Sequence, residues 1–140
     1  MTPVEMFQDG TYEEICTFLS HFSISGKMPK ELYSKFSYNK NGLSSGESQL
    51  LVMASKIWYT IKLKLPMLLL DEPERNIDID STYKMFDFIM SSYNGTIFLV
   101  THLPDLKQYL NNKKYVKQIW HYEPHINNTD DLTFTVENKN

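Results

Sequence analysis

Three short runs of this sequence carry residue types and spacings that suit phosphate chemistry. The first is Leu43-Ser44-Ser45-Gly46-Glu47. Here a Ser-Gly turn opens a helix, and the free N–H groups, two hydroxyls and a glycine permitting close approach make an anion site. Ser44 and Glu47 also have the spacing of a capping box, a purely local role that is compatible with anion binding. The second is the apolar run Met67 to Leu70, which ends in Asp71-Glu72-Pro73-Glu74. A buried strand leaves its last residues at the carboxyl edge of a sheet, where open α/β folds bind ligands. Asp71 is placed to hold a hard cation such as Mg2+ through oxygen. Glu72 is placed to orient or deprotonate an attacking water. Two solvated acids at a strand end are the plainer alternative. In the third run, Phe98-Leu99-Val100 leads into Thr101-His102. A histidine there would share the sheet edge and could donate to a phosphate oxygen, or it packs structurally beneath a loop.

Two other constellations weigh less. Gly42-Leu43-Ser44-Ser45-Gly46 fits G-x-S-x-G, and Asp71 and His102 follow in the order Ser, Asp, His of the serine hydrolases. That elbow must follow a buried strand, whereas Ser37 to Asn41 is polar, and the chain is short for such a sheet. The run His121-Tyr122-Glu123-Pro124-His125 offers metal-ligand types, but Pro124 breaks regular geometry and no further ligand cluster lies nearby in sequence, so a structural or surface role is expected.

The elements that must position these groups follow from periodicity. Ile15, Phe18, Leu19 and Phe22 recur at helical spacing between Tyr12 and Phe22, and Gly26 and Pro29 punctuate the end. A short second helix is expected from Pro29 to Phe36. Leu50, Met53, Ala54, Ile57, Trp58 and Ile61 predict a helix of about five turns, with Ser44 or Ser45 as its N-cap. Met67 to Leu70 has no polar alternation and predicts a strand covered on both faces. Ile79 to Met90 predicts a helix ended by Asn94-Gly95, Thr96 to Val100 a second buried strand, and Pro104 to Leu110 a short helix. Tyr115 to Tyr122 and Leu132 to Val136 predict a hairpin around the polar 127–131 turn, closing the far side of the sheet. Alternating strands and helices point to an α/β fold with a parallel sheet under helical cover.

Bulk properties bound the possibilities. The chain has 140 residues, 41% of them hydrophobic, and a net charge of −3. One domain is expected over 1–140, with a helical lead-in at 12–42, the motif-bearing region at 43–110 and the hairpin at 115–137. A sequence pI near 5.8 gives no global attraction to nucleic acid or anionic lipid. The small lysine groups Lys62 with Lys64, and Lys113 with Lys114 and Lys117, read as solvated surface. A single cysteine, Cys16, excludes an intrachain disulfide and fits packing in an apolar stripe. No stretch has the length of a membrane span and the start has no signal-peptide pattern, so a cytoplasmic location without membrane contact is expected.

Taken in order, the motifs resemble the C-terminal half of an ABC-type ATPase nucleotide-binding domain. Leu43 to Glu47 matches the signature L-S-[GS]-G-[QE], and Met67 to Glu72 matches the Walker B strand with its adjacent glutamate. Arg75-Asn76-Ile77-Asp78 falls where the family has its D-loop, and His102 at its switch histidine. The resemblance spans Asn41 to Leu110. Ser45, Glu47 and the form Asp71-Glu72-Pro73-Glu74 are more similar to SMC, RecF and related soluble ATPases of DNA repair and phage defence than to transporters.

The resemblance implies ATP and Mg2+ as cofactors, and a composite site in a head-to-tail dimer of ATPase heads. On that pattern Leu43, Ser44, Ser45, Gly46 and Glu47 meet ATP in trans, while Asp71, Glu72 and His102 act on ATP held by the P-loop of their own head. Asn76 and Asp78, on the D-loop, bridge the two sites. The departure is equally plain: G-x-x-x-x-G-K-[ST], whose backbone wraps the phosphates, is nowhere in the sequence. The family's P-loop strand would pair beside Thr96 to Val100, so a separate polypeptide or segment is expected to fill that edge and supply the P-loop. DNA would be met, if at all, through the assembled complex. A non-hydrolysing interaction module or fragment that keeps the signature surface is the alternative.

Overall fold

The computed structural model describes residues 1–38, 42–123 and 133–139. Its elements run α1 (Pro3–Met6), α2 (Tyr12–Ser20), a 3-10 turn (Ser25–Lys27), α3 (Ser45–Lys62), β1 (Met67–Asp71), α4 (Ile79–Ser92), β2 (Thr96–Val100), α5 (Pro104–Asn112), β3 (Gln118–Glu123) and β4 (Thr133–Asn138). The chain divides into two compact units, Met1–Leu103 and Pro104–Asn140.

In the first unit, β1 and β2 pair in parallel with Met67 opposite Thr96 and Asp71 opposite Val100. Their connection is α4, the crossover a parallel pair requires. The register is pinned at its start by Tyr93, whose hydroxyl donates to the Leu65 carbonyl at 2.7 Å, and by the Thr96 N–H bonded to Pro66 O at 2.9 Å. Burial pushes the Tyr93 pKa up. The helices pack through an aromatic cluster. Trp58 of α3 meets Phe7 and Phe18 edge-on at 5.7 and 5.1 Å, and Phe18 meets Phe88 of α4 at 5.3 Å. Each such pair adds about 0.5–1.5 kcal/mol beyond area burial. The Trp58 indole N–H is satisfied by Gln8 O at 3.1 Å. The long helix expected over the Leu50 to Ile61 stripe is α3, and it also buries Leu51 and Thr60.

Three expectations are corrected, and one element appears that none foresaw. No helix forms from Pro29 to Phe36; turns and extended backbone run there instead. Only Phe36 is buried in that stretch while Tyr33 is 79% exposed, so there is no apolar stripe to hold a helix against the core. The short α1 was not foreseen, although its capping box, Thr2 with Glu5 and Pro3 at the first position, is written in the sequence. The strands are covered on one face only: Leu68 and Leu70 are buried, but Met67, Leu69, Phe98 and Val100 are 56%, 68%, 42% and 46% exposed. Finally, among the described residues β3 and β4 make an antiparallel sheet of their own and add no strand to β1–β2.

The second unit holds α5, which buries Leu106 and Leu110, and the hairpin. Across it, His121 Nε2 lies 3.4 Å and Lys139 Nζ 2.6 Å from the Glu137 carboxylate. Those two partners, the lysine hydrogen bond foremost, hold the Glu137 carboxyl below its usual pKa. The 127–131 turn expected between the strands lies outside the described residues.

Candidate functional site at the carboxyl edge of the parallel sheet

The first unit gathers the motif residues on two linked turns. At the start of α3, Ser44 is the N-cap: its Oγ accepts from the Glu47 N–H at 3.1 Å, and its own N–H donates to Glu47 Oε1 at 3.0 Å. That N–H, more than any other group, holds the Glu47 carboxyl below its usual pKa. Ser45, the first helical residue, is exposed, and Leu43 anchors the turn by burying its side chain and bonding Ser37 O at 2.7 Å. Gly46 has a packing reason. A Cβ there would stand 2.5 Å from the Asn76 carbonyl oxygen, so only glycine lets the turn after β1 approach the helix start.

That second turn begins at the end of β1. Asp71 closes the strand with its side chain exposed. Glu72 continues the ladder by donating its N–H to Val100 O at 2.8 Å, with its backbone in the left-handed region at φ 46°. Its N–H partner and the Arg75 N–H, bonded to Glu72 O at 3.1 Å, hold it there. Asn76 is left-handed as well, at φ 63°. Asp78 then caps α4, accepting from the Ser81 N–H at 2.9 Å, and that bond lowers its pKa.

The two strand ends meet where the parallel register delivers them. His102, two residues past β2, places Nε2 3.3 Å from Glu72 Oε1; the two side chains are 82% and 36% exposed. A carboxylate beside an imidazole at an open sheet edge can orient and deprotonate a water, and the imidazole can donate to an anion. Asp71 offers an exposed carboxylate at the same edge. Among the described residues no three His, Cys, Asp or Glu side chains gather to hold a metal by themselves. One carboxylate completed by phosphate oxygens and water is the ordinary donor set for Mg2+, so Asp71 fits that ion only in company with a phosphorylated ligand.

Two participants went unassigned in the sequence reading. The Thr101 hydroxyl donates to Glu74 Oε1 and accepts the Leu103 N–H at 3.1 Å. The third acid of Asp71-Glu72-Pro73-Glu74 and the hydroxyl next to His102 were the available signals.

Among solved structures, the chain is similar to one from work on the structural biochemistry of ATP-driven dimerization and DNA-stimulated activation of SMC ATPases. The TM-score is 0.55 at 14% identity, over 92% of this chain and 85% of that one. The fold is SMC-ATPase-like. The α/β class expected from the alternation of elements is the one observed. No protein-family model matches the chain, and no curated protein matches it in sequence.

Within this SMC-like fold the competing constellations lose ground. Ser44 sits at unstrained φ −70°, ψ 171° with its Oγ committed to a cap, and no strand precedes it among the described residues, unlike a nucleophile elbow. His121 pairs with Glu137, and His125 lies outside the described residues. Lys62 Nζ stacks 5.0 Å over Trp58, and Lys113 Nζ 5.6 Å over Tyr109. No described helix is long and apolar enough to cross a membrane.

Proposed function

We propose that this chain is one part of a soluble, cytoplasmic ABC-type ATPase of the SMC and RecF kind, serving DNA repair or defence and completed by a P-loop from another segment or chain. The observation that carries the reading is the 3.3 Å approach of Glu72 and His102 at the carboxyl edge of a parallel strand pair. The SMC-like fold, matched over 85% of a chain of similar length, supports it. In this reading Glu72 takes the proton of the attacking water, and His102 beside it donates to the γ-phosphate. Asp71 would hold Mg2+, which when bound neutralises charge on the phosphates. Leu43 to Glu47 presents a helix N-terminus to ATP held by the opposing head, and Asn76 and Asp78 lie on the turn that contacts it. The chain's own contribution is positioned dipoles and proton transfer.

The test begins with the tagged chain recovered from its native host and its co-purifying proteins identified by mass spectrometry. A P-loop-bearing protein is expected, and the pair should hydrolyse ATP. Glu72→Gln should then lower turnover by about 10²–10⁴-fold, the usual worth of a general base, and accumulate ATP-bound dimers. Unchanged turnover in that variant would remove Glu72 from the role. Capture of partners that bind no nucleotide would instead support an interaction module, a reading that Ser44, Glu47 and Asp78 favour to the extent that their side chains serve local caps.

A further inference from the structure

We propose that Glu74 is a positioning residue, which ties the turn after β1 to the turn after β2 through Thr101 and thereby sets Glu72 against His102; the inference rests on the ATPase reading above. Glu72 and His102 sit on different turns, and both side chains are substantially exposed, His102 at 82%. Nothing in the packing of an exposed imidazole fixes it, so its position depends on the backbone that carries it. The backbone at Glu72 is in a sparsely populated region, φ 46°, which persists only where neighbouring contacts over-determine it.

The Glu72 backbone is held by its own bonds to Val100 and Arg75, and the link from that turn to the His102 turn runs through Glu74 and Thr101. The Leu103 N–H donates to Thr101 Oγ1 and the Thr101 hydroxyl donates on to Glu74 Oε1, a relay that bridges 27 positions of sequence. The Ile77 N–H closes on Glu74 O at 3.1 Å, so the same residue also folds the turn containing Asn76. Pro73, buried between the two acids, fixes its own φ. Glu74 Oε2 is itself buried with no hydrogen-bond partner among the described residues. A buried, half-satisfied carboxylate is an unfavourable arrangement for a turn that only needed closing, and a neutral apolar residue would close it without that cost. What the carboxylate adds is the acceptor for Thr101, and with it the alignment of His102, the next residue along.

The experiment follows the His102 ring signals by NMR in the isotope-labelled full chain. Glu72→Gln sets the scale by removing the carboxylate charge beside His102. Thr101→Val and Glu74→Ala should each displace the ring signals by about half of that change or more, and the double variant by no more than either single, as partners in one interaction behave. Thr101→Ser and Glu74→Gln, which retain hydroxyl and acceptor, should stay near wild type. In the reconstituted ATPase, Thr101→Val should lower kcat by about tenfold or more with KM for ATP unchanged, since misplacement acts on chemistry rather than binding. Thr101→Val is nearly isosteric and decides the matter if Glu74→Ala does not fold. Wild-type ring signals in Thr101→Val beside displaced ones in Glu72→Gln would overturn the tether alone. Unmoved signals in Glu72→Gln would overturn the pairing, and with it both the ATPase reading and the tether.

Discussion

Gly46 shows how one residue type can satisfy a binding motif and a packing demand together. The signature pattern explains it by close approach of a ligand, and the structure adds a neighbour, the Asn76 carbonyl, that leaves no space for a side chain. The obstructing atom is backbone in a turn whose residues Glu72 and Asn76 are already left-handed, so it cannot yield cheaply. Gly46→Ala should therefore destabilise the fold by about 1–3 kcal/mol, the usual cost of overpacking, seen as a lower urea midpoint at unchanged slope. An equal midpoint would mean that the two turns do not touch in solution. Ser44 invites the complementary comparison. Removing its hydroxyl in Ser44→Ala should cost about 1 kcal/mol as a lost N-cap. Any loss of ATP turnover beyond what that instability explains would measure its ligand role.

At the scale of elements, the helices start where polar chemistry tells them to. Thr2 with Glu5, Thr11 with Glu14 and Ser44 with Glu47 are three complete capping boxes, and Asp78 caps α4. In each case the capping N–H groups pull the carboxyl pKa down, foremost the backbone N–H of Thr2, Thr11, Ser44 and Ser81. A carboxyl lowered in the folded state contributes stability that is present above its unfolded value, and that is lost as pH falls through the folded one. Stability should thus hold between pH 7 and about 5 and decline below about 4.3, the unfolded glutamate value. Glu47→Gln keeps the box geometry but not the charge, so urea midpoints measured against pH should fall less steeply in that variant. The same local codes explain what was legible from the sequence. α3 announces itself by a cap and an apolar stripe, α4 by its apolar stripe, and β2 by a run of four β-formers and a leucine between Gly95 and Thr101. The Pro29 to Phe36 segment had a helix-start residue but only one residue to bury, and tertiary contacts decided against it. Of the site, residue types and strand ends could be read in advance. The Glu74–Thr101 relay could not, because a hydrogen bond across 27 positions depends on which strands pair.

For the whole molecule, the strands raise the sharpest question. A run such as Met67-Leu68-Leu69-Leu70 reads as buried on both faces, yet here one face of the β1–β2 pair presents Met67, Leu69, Phe98 and Val100, and among the described residues β2 pairs on one side only. Exposed contiguous apolar surface beside an open strand edge favours association, because it offers both hydrophobic burial and unsatisfied backbone groups. On the proposed function, the P-loop-bearing component takes up that surface. Leu69 is the place to test it, being 68% exposed at the middle of β1 and three residues before Glu72, opposite Phe98 of β2. Leu69→Lys should leave folding stability within about 0.5 kcal/mol, as surface substitutions usually do. It should nevertheless abolish capture of the P-loop partner and convert the concentration-dependent association expected of the isolated chain into a single monomeric species by sedimentation velocity. A wild-type chain that already sediments as one sharp monomer at high concentration, together with undiminished capture by Leu69→Lys, would place the partner's contact elsewhere on the molecule.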